Sequence, residues 1–151
     1  RAPDSTDTGL ISNSLLTVMD VMPTIMELAG IEEITTNDEG NPVLPIRGKS
    51  FATLLENQNY DVHQDEYIGL EHGEESILFY GDWKIFRQQF ADNWELYNVG
   101  ANPNETLDVS AQHPELVAEM AARFEAHAAE VGILRRDPPQ GDARVGGMGA
   151  P

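Results

Sequence analysis

There is no cysteine among the 151 residues, which removes disulfides, thiolate zinc sites and any cysteine nucleophile. Secreted and cytosolic origins both stay open on that count. Basic residues are scarce: 9 Lys+Arg stand against 26 Asp+Glu, a formal net charge of −17. A surface of that sign repels phosphate backbones and anionic bilayers, so neither nucleic acid nor membrane is an expected partner. No apolar run approaches the ~20 residues that a membrane helix needs, and no signal peptide is visible. The four histidines, His63, His72, His113 and His127, show none of the i, i+3 or i, i+4 pairing of helix-borne metal ligands. A Gly-rich phosphate loop and a nucleophile elbow are absent as well. The chain opens on Arg1 rather than Met, so a piece trimmed from a longer protein is expected.

What is present is well punctuated. Ser76–Tyr80 and Trp83–Gln89 are rich in β-branched and aromatic residues and are separated by Gly81-Asp82, the signature of a tight hairpin. Trp94–Val99 supplies a third strand and Glu66–His72 a fourth, so an antiparallel meander of four strands is predicted. Upstream, Asp20 can cap a helix, Pro23 falls in its first turn, and Gly30 stands where a left-handed C-terminal residue is wanted. Val21, Met22, Ile25, Met26, Leu28 and Ala29 make this segment apolar on nearly every side, which predicts that it is largely enclosed. Ser50 is a candidate cap for a short helix beginning near Phe51, and residues 31–47 read as a surface excursion. Beyond the sheet, His113-Pro114-Glu115 starts a second long helix. Leu116, Met120, Phe124 and Val131, joined by Val117, Ala121 and Ala128, give it one apolar face to lay on the meander. The Pro- and Gly-rich stretch 135–151 reads as a flexible tail.

Candidate chemistry is thin. His72 ends a predicted strand beside Glu71 and Gly73, where loops carry function, although a strand-end polar residue bonded to backbone is the leading reading of the residues alone. Glu74 and Glu75 point to opposite faces if both lie on a strand, and are expected to be solvated. The Lys84 amine suits either an anion or a solvated sheet edge. Trp83, Trp94, Tyr97, Phe79 and Phe86 could form a stacking surface, but strand alternation sends at least half of them to the core. His113 reads as a helix-start residue, His127 as an exposed helix position and His63 as a loop residue.

Several segments, in order, resemble the C-terminal region of sulfatases, most nearly bacterial arylsulfatases of the alkaline-phosphatase-like superfamily. They are Val18–Gly30 with its D-x-x-P-T-x-x-x-L-A-G pattern, Arg47-Gly48-Lys49-Ser50-Phe51 with its R-G-x-S pattern, Gly81-Asp82-Trp83-Lys84, and Trp94–Asn98 followed by Asn102-Pro103-Asn104-Glu105. The resemblance covers about residues 14–131. It implies an α+β architecture: a small four-stranded antiparallel sheet packed with a C-terminal helix, preceded by a helix from the end of a missing larger α/β domain. Residues 1–60 would then be the tail end of that large domain with a connector, 61–134 the sheet-plus-helix subdomain, and 135–151 the tail. The apolar Asp20–Gly30 helix would pack on the absent domain, or self-associate when that domain is missing.

The implied activity is hydrolysis of sulfate esters. In the family, a Cys or Ser within C/S-x-P-x-R becomes the formylglycine nucleophile and Ca²⁺ polarises the sulfate. The nearest look-alike here, Val43-Leu44-Pro45-Ile46-Arg47, has Val43 where the nucleophile belongs. No catalytic and no metal-binding residue is therefore assigned to this chain. Formylglycine and Ca²⁺ are expected in the missing N-terminal catalytic domain, which is the principal expected partner. His72 is the single candidate for the substrate pocket, and the chain alone is expected to be inactive. The resemblance suggests a periplasmic or secreted location. Two alternatives stand beside this reading: a stand-alone interaction or assembly domain without catalysis, and part of a related phosphatase or phosphonate hydrolase.

Overall fold

The computed structural model describes residues 9, 11–73 and 75–134. Glu74 and the stretch 135–151, on which the solvated-pair and tail expectations fall, lie outside the described residues. The chain divides into two compact units, Arg1–Glu66 and Tyr67–Pro151.

In the first unit, a 3-10 turn at Val18–Asp20 runs into α1 (Val21–Ala29). Gly30 closes α1 in the left-handed region at φ 65°, where a residue with a Cβ is disfavoured. Its amide bonds the Glu27 carbonyl at 3.1 Å, and the Ile31 amide bonds Met26 at 2.8 Å. Residues 31–47 are almost wholly exposed, with one bridge pairing Thr36 and Pro42. The second helix, α2 (Ala52–Glu56), is a single turn. Phe51, not Ser50, stands at the cap position of α2, which has no side-chain cap bond; the Ser50 hydroxyl instead accepts the Ala52 amide two residues on at 3.1 Å. Upstream, the Ser14 hydroxyl accepts the Val62 amide at 3.1 Å, so the start of the described chain pins the 58–62 loop.

The enclosure expected of α1 is not provided within this unit. Met22, Ile25 and Leu28 are 62%, 60% and 64% exposed, and Thr24 is the buried residue of the helix. The apolar residues circle the helix, while one side rests on the chain around Lys49–Phe51.

In the second unit, β1 (Tyr67–His72), β2 (Glu75–Tyr80), β3 (Trp83–Arg87) and β4 (Glu95–Asn98) form an antiparallel sheet in the order β1-β2-β3-β4. The β2–β3 register pairs Tyr80 with Trp83 and Leu78 with Ile85. That pairing leaves Gly81-Asp82 as a two-residue turn, with Gly81 at φ 51°. Positive φ at the first central residue suits hairpins whose twist matches their strands. Along the outer side of β4, the Leu96 amide donates to the Asp108 carboxylate at 3.0 Å, and the Leu96 carbonyl accepts the Val109 amide at 2.9 Å.

Alternation then sorts the side chains. Leu78, Ile85 and Leu96 face α3 (Pro114–Val131) and are fully buried, as are Met120 and Phe124 on the helix. Trp83, Trp94, Leu116, Val117 and Ala121 flank this core. The Trp94 ring meets Phe124 edge-on with centroids 5.3 Å apart, and the Arg87 guanidinium covers Trp94 at 4.4 Å. Val131, placed on the apolar face by spacing, is 41% exposed. The face ends one turn earlier, at Ala128, and Ile133 beyond the helix joins the core instead. The whole is the α+β arrangement expected: a four-stranded antiparallel sheet, a C-terminal helix and a preceding helix.

Candidate functional site

The D-x-x-P-T pattern proves to be a buried hydrogen-bonding unit. Asp20 is completely enclosed and Thr24 is 2% exposed. As the residue before α1, Asp20 was expected to cap the helix through its side chain, yet the carboxylate makes no such bond. It turns back and across. Oδ2 accepts the Thr17 amide at 2.6 Å and the Thr17 hydroxyl at 3.0 Å, and Oδ1 accepts the Lys49 amide at 2.8 Å. The Thr24 hydroxyl donates to the Asp20 carbonyl at 2.6 Å and accepts the Phe51 amide at 2.9 Å. A carboxylate and a hydroxyl one helical turn apart thus hold two amides of the Arg47–Phe51 segment. Gly48 is required at this crossing: a Cβ built there collides with the Met19 carbonyl. The two sequence patterns are the halves of one buried joint.

The joint also holds an imidazole. His63 Nε2 lies 3.0 Å from Asp20 Oδ2, and Nδ1 lies 3.1 Å from Glu66 Oε2. Glu66 in turn pairs with the Lys49 ammonium at 2.5 Å. The expectation that His63 is a plain loop residue is therefore corrected: it is 7% exposed and doubly paired. Burial disfavours charge on the ring, but the bonds and charges of Asp20 and Glu66 outweigh it and hold the His63 pKa above the usual 6.5. Burial likewise works against the Asp20 anion, and the donors from His63, Thr17 and Lys49 overcome it, leaving the carboxyl below 3.8. Glu66 is held below 4.5, first by the Lys49 ammonium, against burial, with help from His63. Sequence offered a weak hint in the spacing of His63 and Glu66. It offered none for Asp20, 43 residues away.

The pocket candidate His72 is the last residue of β1, exposed, with Glu75 as its register partner beside the turn that contains Gly73. His113 precedes α3 and lies edge-on to Trp83 with centroids 5.2 Å apart. His127, expected to be exposed, is half-buried: its ring lies where a Cβ on Gly69 would fall, and tilts against Phe124 at 6.3 Å. Lys84 sits on an inner strand rather than at an edge. Its ammonium pairs with Glu105 at 2.5 Å and lies 5.7 Å and 5.9 Å from the Phe79 and Phe86 ring centres, so that amine is already engaged. Of the five aromatics, Trp83 and Trp94 border the core, and Phe79, Phe86 and Tyr97 lie on the opposite face of the sheet. Among the described residues, no group of three or more His, Cys, Asp or Glu is arranged to hold a metal ion.

Comparison with known proteins gives the setting. No family model matches the chain. An uncharacterized sulfatase of Schizosaccharomyces pombe is 27% identical over 138 residues, 89% of this chain and 25% of that protein. Arylsulfatase K of Xenopus laevis is 25% identical over 115 residues, 72% of this chain and 21% of that protein. The chain thus spans a quarter or less of the curated relatives it matches. Among solved structures, Ps i-CgsB shares the fold at a TM-score of 0.61 and 21% identity, over 76% of this chain and 24% of that one. The same protein has been solved in complex with k-i-k-neocarrahexaose. In sequence, most of the chain is similar to a quarter or less of these two sulfatases, and its fold is shared with part of Ps i-CgsB.

Proposed function

We propose that this chain is the C-terminal part of an enzyme that hydrolyses sulfate esters, and that it frames the substrate pocket without supplying the nucleophile. The observation that carries the reading is the match to curated sulfatases along most of this chain and only a small part of theirs. The absence of cysteine and the valine at position 43 support leaving the nucleophile to the rest of the protein. Formylglycine and Ca²⁺ are assigned to that remainder, together with the catalytic domain that is this chain's main partner. The described side chains offer no group of three or more acids or histidines to hold such an ion.

His72 is the residue proposed to touch the substrate side of the pocket, because it is exposed at a strand end beside a tight turn. The substrate class is a sulfate ester, aryl or sugar-borne, in keeping with the names of the relatives. The reading carries with it a periplasmic or secreted location. Among the described residues, no helix is long and apolar enough to cross a membrane.

The test compares the complete protein, matured and supplied with Ca²⁺, with this chain alone on an aryl sulfate, a sulfated oligosaccharide and an aryl phosphate. The reading expects sulfate release by the complete protein only. Turnover by the isolated chain, or preference for the phosphate ester, would overturn it. Within the complete protein, His72→Ala should raise KM or change the order of preferred esters. Unchanged kinetics on every ester would remove His72 from the pocket.

A second reading, an assembly domain without catalysis, is favoured by one observation: the exposed apolar side chains of α1. On this reading the Asp20–Gly30 helix mediates self-association. The complete protein would then bind its partner through α1 and release no sulfate.

A further inference from the structure

Of the four histidines only His63 is buried, and the geometry around it specifies its protonation. A neutral imidazole carries one N–H and one lone pair. Here both ring nitrogens face carboxylate oxygens, Asp20 Oδ2 at 3.0 Å and Glu66 Oε2 at 3.1 Å. Only the imidazolium donates to both. In the neutral form, one nitrogen would press its lone pair against an anion.

The two carboxylates would not share that conflict equally. Asp20 is fully enclosed and anchored by three further donors, from Thr17 and Lys49. The Glu66 side chain is 39% exposed and keeps the Lys49 ammonium on its other oxygen. It can swing into water and Asp20 cannot. We infer that His63 is a proton-operated clasp: the imidazolium fastens Glu66 and the 61–66 segment onto buried Asp20, and loss of the proton releases Glu66 while the Asp20 arm stays closed.

Two carboxylates meet the ring, Asp20 from the start of α1 and Glu66 from the end of the unit, whereas Asp61 Oδ1 accepts the His63 backbone amide at 3.3 Å. Lys49 offsets Glu66 from the side away from the ring. The folded-state pKa of His63 is raised, so its contribution is complete below 6.5 and is lost as pH rises through the higher folded value. The carboxyl pKa values are lowered, so theirs is present above 3.8 for Asp20 and 4.5 for Glu66 and fails in acid. The clasp is shut above the carboxyl values and below the raised pKa of His63, and it opens as pH rises through that pKa. None of this depends on which ester the whole protein cleaves.

The experiment is a pH titration of this chain by NMR, following the His63 ring nitrogens together with amide hydrogen exchange. The Glu66 amide, which donates to the His63 carbonyl at 3.1 Å, reports the clasp. The Phe51 amide, held by Thr24, is the internal control. The inference expects ring titration above 6.5, with Glu66 protection falling across the same midpoint beyond the ordinary base-catalysed rise. Phe51 should not follow. In Glu66→Gln, the ring midpoint should drop and the step in exchange should vanish. Ring titration at or below 6.5, or a Glu66 amide that keeps its protection through the midpoint, would overturn the clasp.

Discussion

Replacing Asp20 by Asn tests the buried joint most directly. The variant keeps the size of the side chain and removes its charge. One oxygen becomes an NH₂ that must face a backbone amide, either that of Lys49 or that of Thr17, and neither can accept a hydrogen bond. Hydrogen bonds to a charged group contribute about 1.5–3 kcal/mol each. Removing one member of a buried ion pair costs about 3–5 kcal/mol. Since these are the same interactions counted two ways, about 3–5 kcal/mol is the working figure, a large share of the ~5–15 kcal/mol that stabilises a typical domain.

Tryptophan emission is unsuited to the measurement, because Trp83 and Trp94, the only two, lie in the second unit. Amide exchange at Phe51 is suited. Its acceptor is the Thr24 hydroxyl, which bonds the Asp20 backbone carbonyl and not its carboxylate. Phe51 therefore reads the opening of the joint and not the loss of its own partner. At about 1.4 kcal/mol per tenfold, protection at Phe51 should fall at least about a hundredfold near neutral pH. As pH drops below 3.8 and Asp20 is protonated in the parent chain, the two proteins should converge, since the parent then loses the same anion. Protection within about threefold of the parent at neutral pH, a difference of well under 1 kcal/mol, would refute this account of the D-x-x-P-T pattern.

Two further outcomes follow from the second unit. Phe124→Ala removes a fully buried ring that meets Trp94 edge-on. It should cost about 3–5 kcal/mol, read as a lower urea midpoint by Trp94 emission; a loss under about 1 kcal/mol would mean that α3 is held by something else. The Tyr97 hydroxyl donates to Glu95 at 2.6 Å, and that bond, with burial, pushes its pKa up to about 12. Ultraviolet titration should find the Tyr97 step moving back toward 10.0 in Glu95→Gln, while the raised step of Tyr67, which rests on burial and Glu119, stays; an unmoved titration would assign the shift elsewhere.

The second unit was legible in the sequence because its signals are local. Alternation in Glu75–Tyr80 and Trp83–Arg87, a Gly-Asp turn between them, and Pro114 at the start of a 3.6-period stripe each specify structure within a few residues. The first unit was legible only in outline. Helix ends at Pro23 and Gly30 could be read, but the direction of the Asp20 carboxylate is set by Lys49 and His63, which no local pattern connects to it. His63 was passed over for that reason: burial of a polar side chain depends on partners distant in sequence. Val131 shows the same limit at a boundary. Helical spacing continues past the point where the sheet beneath α3 ends, and periodicity does not record where a neighbour stops.

The bonds that Asp108 and Val109 make to Leu96 have a consequence for solubility. An unprotected outer strand is a template on which another extended chain can pair, whether a peptide partner or a misfolded copy. On β4 that template is already occupied, its amide taken by a carboxylate and its carbonyl by a backbone neighbour. At Leu96 the sheet is thereby closed to growth on the β4 side, and strand addition, wanted or unwanted, is blocked there.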